Sequence, residues 1–487
     1  MNRFLDQVAL INDKVNGFVW GPPMLLLIIF AGIFFSCRTG LFQLVHFNLW
    51  MDKTLLAIFK NKKVRKASGA HSISEFQALS TALAGTIGTG NIAGVATALV
   101  SGGPGAIFWM WLSAFFGMMT NYSENVLGIH YRYKNEKGAW MGGPMVYLER
   151  GLHQKWLAVL FSCFCILASF GIGNMTQANS IAEALNGSFG IPKLATGIVL
   201  AILVGLVILG GIKRIGQVTE RIVPFMALFY IIGGIVLIGA NFSFVPAALK
   251  LIVINAFNFK SVGGGLLGYG IARALRFGVA RGVFSNEAGL GSSVMVHSAS
   301  SVQEPVVQGM WGIFEVFADT IIVCTITALC VLTSALKFNL FAVDEYGQIT
   351  SSLSGSNLVS AAFDTLTPLG GSFVSIAVML FAFSTLLGWS FYGERGIEYL
   401  IGVRFTIIYK FIFLLAIIAG CTMQLDLVWN LSDTFNGLMA LPNLIGILFL
   451  SNEVVSITKD YIKRYKSHEL KEIHDGDPET LESPVEC

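Results

Sequence analysis

Charge is what this sequence has least of. Among its 487 residues 13% are Asp, Glu, Lys or Arg, and 54% are hydrophobic. Soluble domains carry about 25% charged residues, and half that supply cannot cover a soluble surface of this size. The net charge of +3 is too small to point to nucleic acid as a partner. Cysteine is sparse too. The seven, at 37, 163, 165, 324, 330, 421 and 487, sit mostly in apolar runs without CxxC or zinc-ligand spacing, which predicts buried free thiols. There is no HExxH and no GxSxG, and none of the seven histidines lies deep in an apolar run. Those absences exclude the metal and nucleophile constellations of a membrane-embedded enzyme, and no organic cofactor is expected.

What the chain has instead is long apolar runs. They predict an all-α integral membrane protein with about 11 transmembrane helices, near 18–37, 77–100, 104–128, 156–178, 194–211, 221–240, 262–290, 306–334, 372–393, 405–422 and 427–450. Each is long enough to cross roughly 30 Å of hydrocarbon. Arg273, Arg276 and Arg281 interrupt the run at 262–290, and the short piece 251–257 ahead of it is placed on the outer surface. The first run lacks a strongly basic start and an A-x-A site, so it reads as a retained helix.

Basic residues mark cytoplasmic loops. They gather after the first run (Arg38, Lys53, Lys60, Lys62, Lys63, Arg65, Lys66), in 129–155, in 212–221 and in the tail from Lys459 to Lys471, whereas 336–371 carries only Lys337. That pattern puts the N-terminus outside and the C-terminus in the cytoplasm, across a plasma or inner membrane. Beyond about residue 465 the chain turns polar and reads as a disordered tail. The expected divisions are 1–76 (an extra helix and a basic loop), 77–240 and 262–450 (five spans each), and 451–487 (the cytoplasmic tail).

The first span of each five is unusual. One contains GTIGTGNIAG, Gly85 to Gly94, and the other GVARGVFSNEAGLG, Gly278 to Gly291. They enter from opposite sides, which makes the halves inverted repeats, and paired glycine-interrupted spans are the best sequence pointer to a transporter's binding site. Glycine permits unusual backbone angles. An unwound turn frees carbonyls for a cation, while the exposed N–H groups of a half-helix attract an anion. A dinucleotide loop is excluded by context, since it needs a preceding strand and here another apolar span follows at 108–128. Close helix packing through small residues is the plainer use of such glycines. A channel filter also uses unwound backbone, but the inverted halves in one chain favour a carrier.

GGPGAIFWMWLSAFFG, Gly102 to Gly117, resembles the signature of the sodium:alanine (alanine or glycine:cation) symporter family, and ALAGTIGTGNIAGVA and RGVFSNEAGLG resemble other motifs of it. The likeness extends over all the spans. It implies a LeuT-type fold, a 5+5 inverted repeat preceded by one extra helix. It also implies import of alanine or glycine with sodium as the coupling ion, by a chain functional as a monomer in the bilayer. A proton-coupled amino-acid transporter of the same fold is the alternative.

Carried over by position, the resemblance puts the substrate carboxylate at the backbone of Thr86 to Gly90, with Asn91 beside substrate or ion. It gives sodium the carbonyls of Ala84 and Ile87 and the hydroxyls of Ser384 and Thr385. The residues themselves support plainer roles as well. Asn91 can cap a helix. Asn174 and Gln177, three apart and so on one face, suit a zwitterion or an interhelical hydrogen bond. Ser384 and Thr385 can bond back to their own helix, and Trp389 and Phe277 can wall a small pocket or pack. Glu315 and Asp319 are four apart at a depth where carboxylates are costly. An ion pair with Arg281 or Arg276 is the favoured reading for them, ahead of a proton relay or sodium ligand. Glu287 caps a half-helix or gates the inner side.

Overall fold

A computed structural model describes residues 2–67, 72–257, 269–344, 349–423, 426–467 and 469. Its main helices, joined by shorter ones and two short β-hairpins, are α1 (Asn2–Val19), α2 (Pro22–Arg38), α3 (Glu75–Thr86), α4 (Val95–Gly102), α5 (Gly105–Tyr131), α6 (Lys155–Phe170), α7 (Thr176–Phe189) and α8 (Lys193–Ile208), then α9 (Gly211–Ala240) and α10 (Tyr269–Asn286). Beyond the second glycine-rich stretch come α11 (Pro305–Val316), α12 (Thr325–Phe338), α13 (Gly370–Ile401), α14 (Thr406–Thr422), α15 (Asp426–Phe449) and α16 (Ser451–Lys466).

Both glycine-rich stretches break helices, each for a local reason. Ser74 starts α3 with a reciprocal cap: its Oγ accepts from Gln77 N at 3.1 Å, and Gln77 Oε1 accepts from Ser74 N at 3.1 Å. The helix stops at Thr86, resumes as a π turn over Gly90–Gly94, and runs on as α4 at 50° to its first half. After α10 the chain turns through Glu287 (φ 57°), Gly289 (φ 91°) and Gly291 (φ 76°). Left-handed backbone suits glycine and strains other residues, so this break is written into SNEAGLG. Two further π turns, Gly171–Met175 and Phe317–Cys324, interrupt α6–α7 and α11–α12. π turns are rare and concentrate at functional sites.

Several spans differ from expectation. Six helical stretches among the described residues are long and apolar enough to cross a bilayer, or eight with each bent pair counted as one. The others fall short for chemical reasons: α5 carries Asn121, Ser123, Glu124 and Asn125 inside the bundle, α10 carries arginines, and α8 is 16 residues long. The first span does not start at 18, because Pro22 opens a new helix and a separate, more polar α1 precedes it. The expected basic loop at 212–221 is instead the first turns of α9. The tail begins as α16, whose Tyr461 is buried and whose Arg464 donates to both oxygens of Glu304 at 3.1 and 3.2 Å. The stretch 262–268, the tail from 470 onward and Cys487 lie outside the described residues. The other six cysteines are free, with Cys37 exposed rather than buried.

The buried core runs through the bundle, with α5 packed closely against both α10 and α11, and small residues allow the approach. A Cβ on Gly278 would overlap the Ala106 carbonyl and stand 2.9 Å from Trp109 Cβ. Backbone cannot rotate away as a side chain can. Gly278→Ala is expected to destabilise the protein by about 1–3 kcal/mol, the range for an overpacked core. A thermal unfolding midpoint in detergent no lower than wild type would refute that packing.

Candidate functional site

The two breaks meet beside α13. A Cβ on Gly388 would lie 2.8 Å from Gly85 N, so α13 and α3 touch main chain to main chain. A Cβ on Gly88 would stand 2.5 Å from Thr385 Oγ1, and one on Gly173 would overlap Trp389. These glycines let a tryptophan and a threonine come against the unwound turn.

The space they enclose is small, about 20 Å³, room for a single water. From the first break it is walled by Thr86, Gly88 and Gly90, and from α7 by Gln177. Thr385 and Trp389 close it from α13, and Phe284 and Glu287 from the second break. A far larger cavity, about 400 Å³, lies elsewhere, between α7, α8, α9 and α13. Its lining is almost wholly aliphatic and aromatic, so lipid is its natural filling.

Ser384 Oγ donates to Phe381 O at 2.8 Å and lies 3.4 Å from Ala84 O, and Thr385 Oγ1 donates to Phe381 O at 3.0 Å. The hydroxyls therefore bond back to their own helix while facing the end of α3, where Ile87 closes the last turn, buried. The Ser384 hydroxyl and the Ala84 carbonyl thus come together as neutral oxygens, the kind of ligand a hard cation takes.

Other expected lining residues lie elsewhere. Asn91 caps the break: its Oδ1 accepts from Gly88 N at 2.9 Å, and its Nδ2 donates to Asp319 Oδ1 at 2.6 Å. Asn174 turns away from Gln177 and donates to Phe413 O at 2.7 Å, because the π turn at 171–175 shifts the helical phase between them. Phe277 borders a separate cavity, and Phe284, two turns on, stands in the wall instead.

The expected arginine partners of Glu315 and Asp319 are a further correction. Arg281 faces Asp433 at 3.9 Å. Glu315 Oε2 lies 2.9 Å from His297 Nε2 and 3.4 Å from Asn121 Nδ2. Asp319 accepts from Asn91, Ser285 and Thr320. Among the described residues no lysine or arginine pairs with Glu124, Glu287, Glu315 or Asp319, all of them buried. His297 is wholly buried despite lying in no apolar run, with Gln308 on its other ring nitrogen. Sequence reasoning missed His297, Glu124 and Asn436. The one signal for His297 was its place just after the second glycine break.

The profile of the sodium:alanine symporter family matches residues 5–475. The chain is 49% identical to the sodium/alanine symporter AgcS of Methanococcus maripaludis, over 94% of this chain and 98% of that protein. It is 36% identical to the amino-acid carrier protein AlsT of Bacillus subtilis, over 93% of each chain. The crystal structure of MhsT in complex with L-phenylalanine superposes with a TM-score of 0.53 at 13% identity, covering 80% of this chain and 99% of that one. The two share an all-α, multi-pass, LeuT-type fold.

Proposed function

We propose, since this chain belongs to the sodium:alanine symporter family, that it imports a small neutral amino acid, alanine or glycine, with sodium by alternating access. It is a transporter and not an enzyme. One observation carries the substrate reading: among the described residues the central cavity has a single carboxylate, Glu287, and a glycine-rich turn of main chain as another wall. A site with an anion on one side and glycine-rich main chain on the other suits an α-amino acid zwitterion. The ammonium goes to Glu287, which Ser292 Oγ holds by a hydrogen bond. The carboxylate goes to the backbone of Thr86 to Gly90, with Gln177 and Trp389 in contact. Asn91 and Asn174 act from behind, fixing the turns that carry the site.

Sodium sits between the carbonyls of Ala84 and Ile87 and the hydroxyls of Ser384 and Thr385. At about 100 mV one entering sodium contributes ~2.3 kcal/mol, and a tenfold gradient adds ~1.4 kcal/mol. Together they support roughly 500-fold accumulation of a zwitterion. Eleven spans in a 1+5+5 arrangement, the N-terminus outside, the C-terminus in the cytoplasm and a monomeric working unit complete the reading.

Uptake of labelled alanine into proteoliposomes, driven by sodium and separately by protons, tests it. Sodium-driven uptake supports the proposal. Uptake driven by protons alone would overturn it in favour of the carboxylates at Glu315 and Asp319, which lack a lysine or arginine partner among the described residues. Thr385→Val is expected to raise the sodium concentration for half-maximal uptake about tenfold, the loss of one oxygen ligand at about 1.4 kcal/mol. An unchanged sodium dependence would remove Thr385 from the ion site.

A further inference from the structure

α2 ends at Arg38, and the chain then turns sharply through Gly40 (φ 68°) and Leu41 (φ 54°) into the four-residue helix Phe42–Val45. Glycine takes such backbone freely, whereas a leucine is strained by it. The end of α2 meets the start of α16, where Arg38 Nη1 donates to Ser451 Oγ at 3.2 Å and Nη2 to Asn452 Oδ1 at 2.9 Å. Between these elements lies a cavity of about 370 Å³, with Arg38, Thr39, Phe42, His46, Val455 and Lys459 in its walls. We propose that this pocket holds the phosphodiester headgroup of one anionic phospholipid, whose acyl chains lie along the apolar turn after α2. The proposal goes beyond the transport reading and shares only its topology, in which this is the cytoplasmic face.

The pocket is basic, and none of the described residues lining it is acidic. Burial first, and then the charge of Lys466, hold the His46 imidazole below its ordinary pKa. Nearby acids are engaged elsewhere: Asp460 and Glu304 with Arg464, and Glu453 with the Tyr131 hydroxyl. Both hydrogen-bond partners of Arg38 are neutral, and a guanidinium carries five N–H donors. Donors therefore remain for a two-pronged anion such as a phosphodiester.

The rim selects a lipid over a free phosphate. Leu44, Val45 and Phe47, on either side of His46, are 55%, 67% and 44% exposed. Exposed apolar side chains beside a group of cations mark a segment lying in the lipid interface. Inside the pocket, Phe42, Val455 and Ile462 offer apolar surface to the upper part of an acyl chain. A lipid here would also join both ends of the chain to α5. Thr458, on the pocket wall, has its hydroxyl 2.8 Å from that of Tyr122 on α5, and Phe42 packs on the same tyrosine with ring centroids 5.1 Å apart.

The test titrates purified protein in detergent with dioleoyl phosphatidylglycerol. It reads the unfolding midpoint and, by native mass spectrometry, the lipids retained per chain. One phosphatidylglycerol per chain is expected to be retained and to raise the midpoint by several degrees, and phosphatidylcholine to do neither. Lys459→Gln should weaken binding about fivefold, the worth of one cation at an anionic lipid surface, and about 25-fold when combined with Arg38→Gln. Lys62→Gln with Lys66→Gln removes two exposed cations that do not line the pocket and should leave binding unchanged. Equal binding of phosphatidylcholine, or an equal loss in that control pair, overturns the site in favour of general attraction to the lipid surface. Inorganic phosphate raising the midpoint as much makes it a phosphate site and overturns the lipid. If Arg38→Gln fails to fold, Lys459→Gln decides alone, and full affinity in it overturns the proposal. None of these readouts involves alanine or sodium, so failure here leaves the transport reading standing.

Discussion

Glu287→Gln is expected to abolish sodium-driven uptake while leaving a folded, monodisperse protein. The carboxylate is the one acidic group among the described residues on the wall of the central cavity, and it lies at a left-handed position (φ 57°) that turns the chain where α10 ends. An amide keeps the shape and the hydrogen bond from Ser292 but loses the charge that meets an ammonium. Removing one partner of a buried, hydrogen-bonded charge pair costs about 2–5 kcal/mol, or roughly 30-fold to several thousand-fold in affinity. The measurement is alanine affinity in detergent alongside uptake in proteoliposomes. Wild-type affinity in Glu287→Gln would move the ammonium elsewhere and return Glu287 to shaping the break.

Asn91→Ala should cost almost as much, by a different route. Asn91 does not border the cavity, yet it ties Gly88 N–H to the Asp319 carboxylate, joining the first break to the π turn at 317–324. Alanine leaves a buried donor and a buried carboxylate each short of a partner, at about 1–3 kcal/mol apiece. The unfolding midpoint should fall by several degrees, and uptake should be lost because the turn proposed to receive the substrate loses its shape. Asn91→Asp should be no better, since it sets a second carboxylate against Asp319. Full thermal stability with uptake alone abolished would instead argue for direct contact between Asn91 and substrate.

The contrast between these residues shows how far the sequence could be read. The second glycine break was legible because glycine at 289 and 291 is a statement about φ, independent of what packs nearby. Thr86, Gly90, Gln177, Thr385 and Trp389 reach one cavity; Thr86, Gly90 and Thr385 were placed by the family resemblance, Gln177 and Trp389 by residue type within their spans. Asn174 was displaced for want of phase, and Phe277 for want of depth, since Phe284 two turns on has the same phase and reaches the cavity. Counting 100° per residue cannot foresee a π turn, which adds a residue to the turn and rotates every later side chain of the helix. The partner of Glu315 was illegible for a plainer reason. His297 lies in a four-residue helix, Val294–His297, too short for any periodicity to show. α1 escaped because its apolar residues are mixed with Asp6, Asp13 and Lys14, and hydropathy rewards uninterrupted runs.

The glycines around the central cavity also bear on how such a carrier can change its diet. Part of its wall is main chain: Gly85, Gly88 and Gly90 have no side chain to trim. A substitution at any of them narrows the space, and none widens it. Room for a bulkier amino acid must come from the side chains of the wall, of which Trp389 and Phe284 are the largest, or from sliding whole helices. Selectivity for small side chains is therefore a one-way ratchet at the break. Divergence toward larger substrates is steered to the two aromatic positions of the wall.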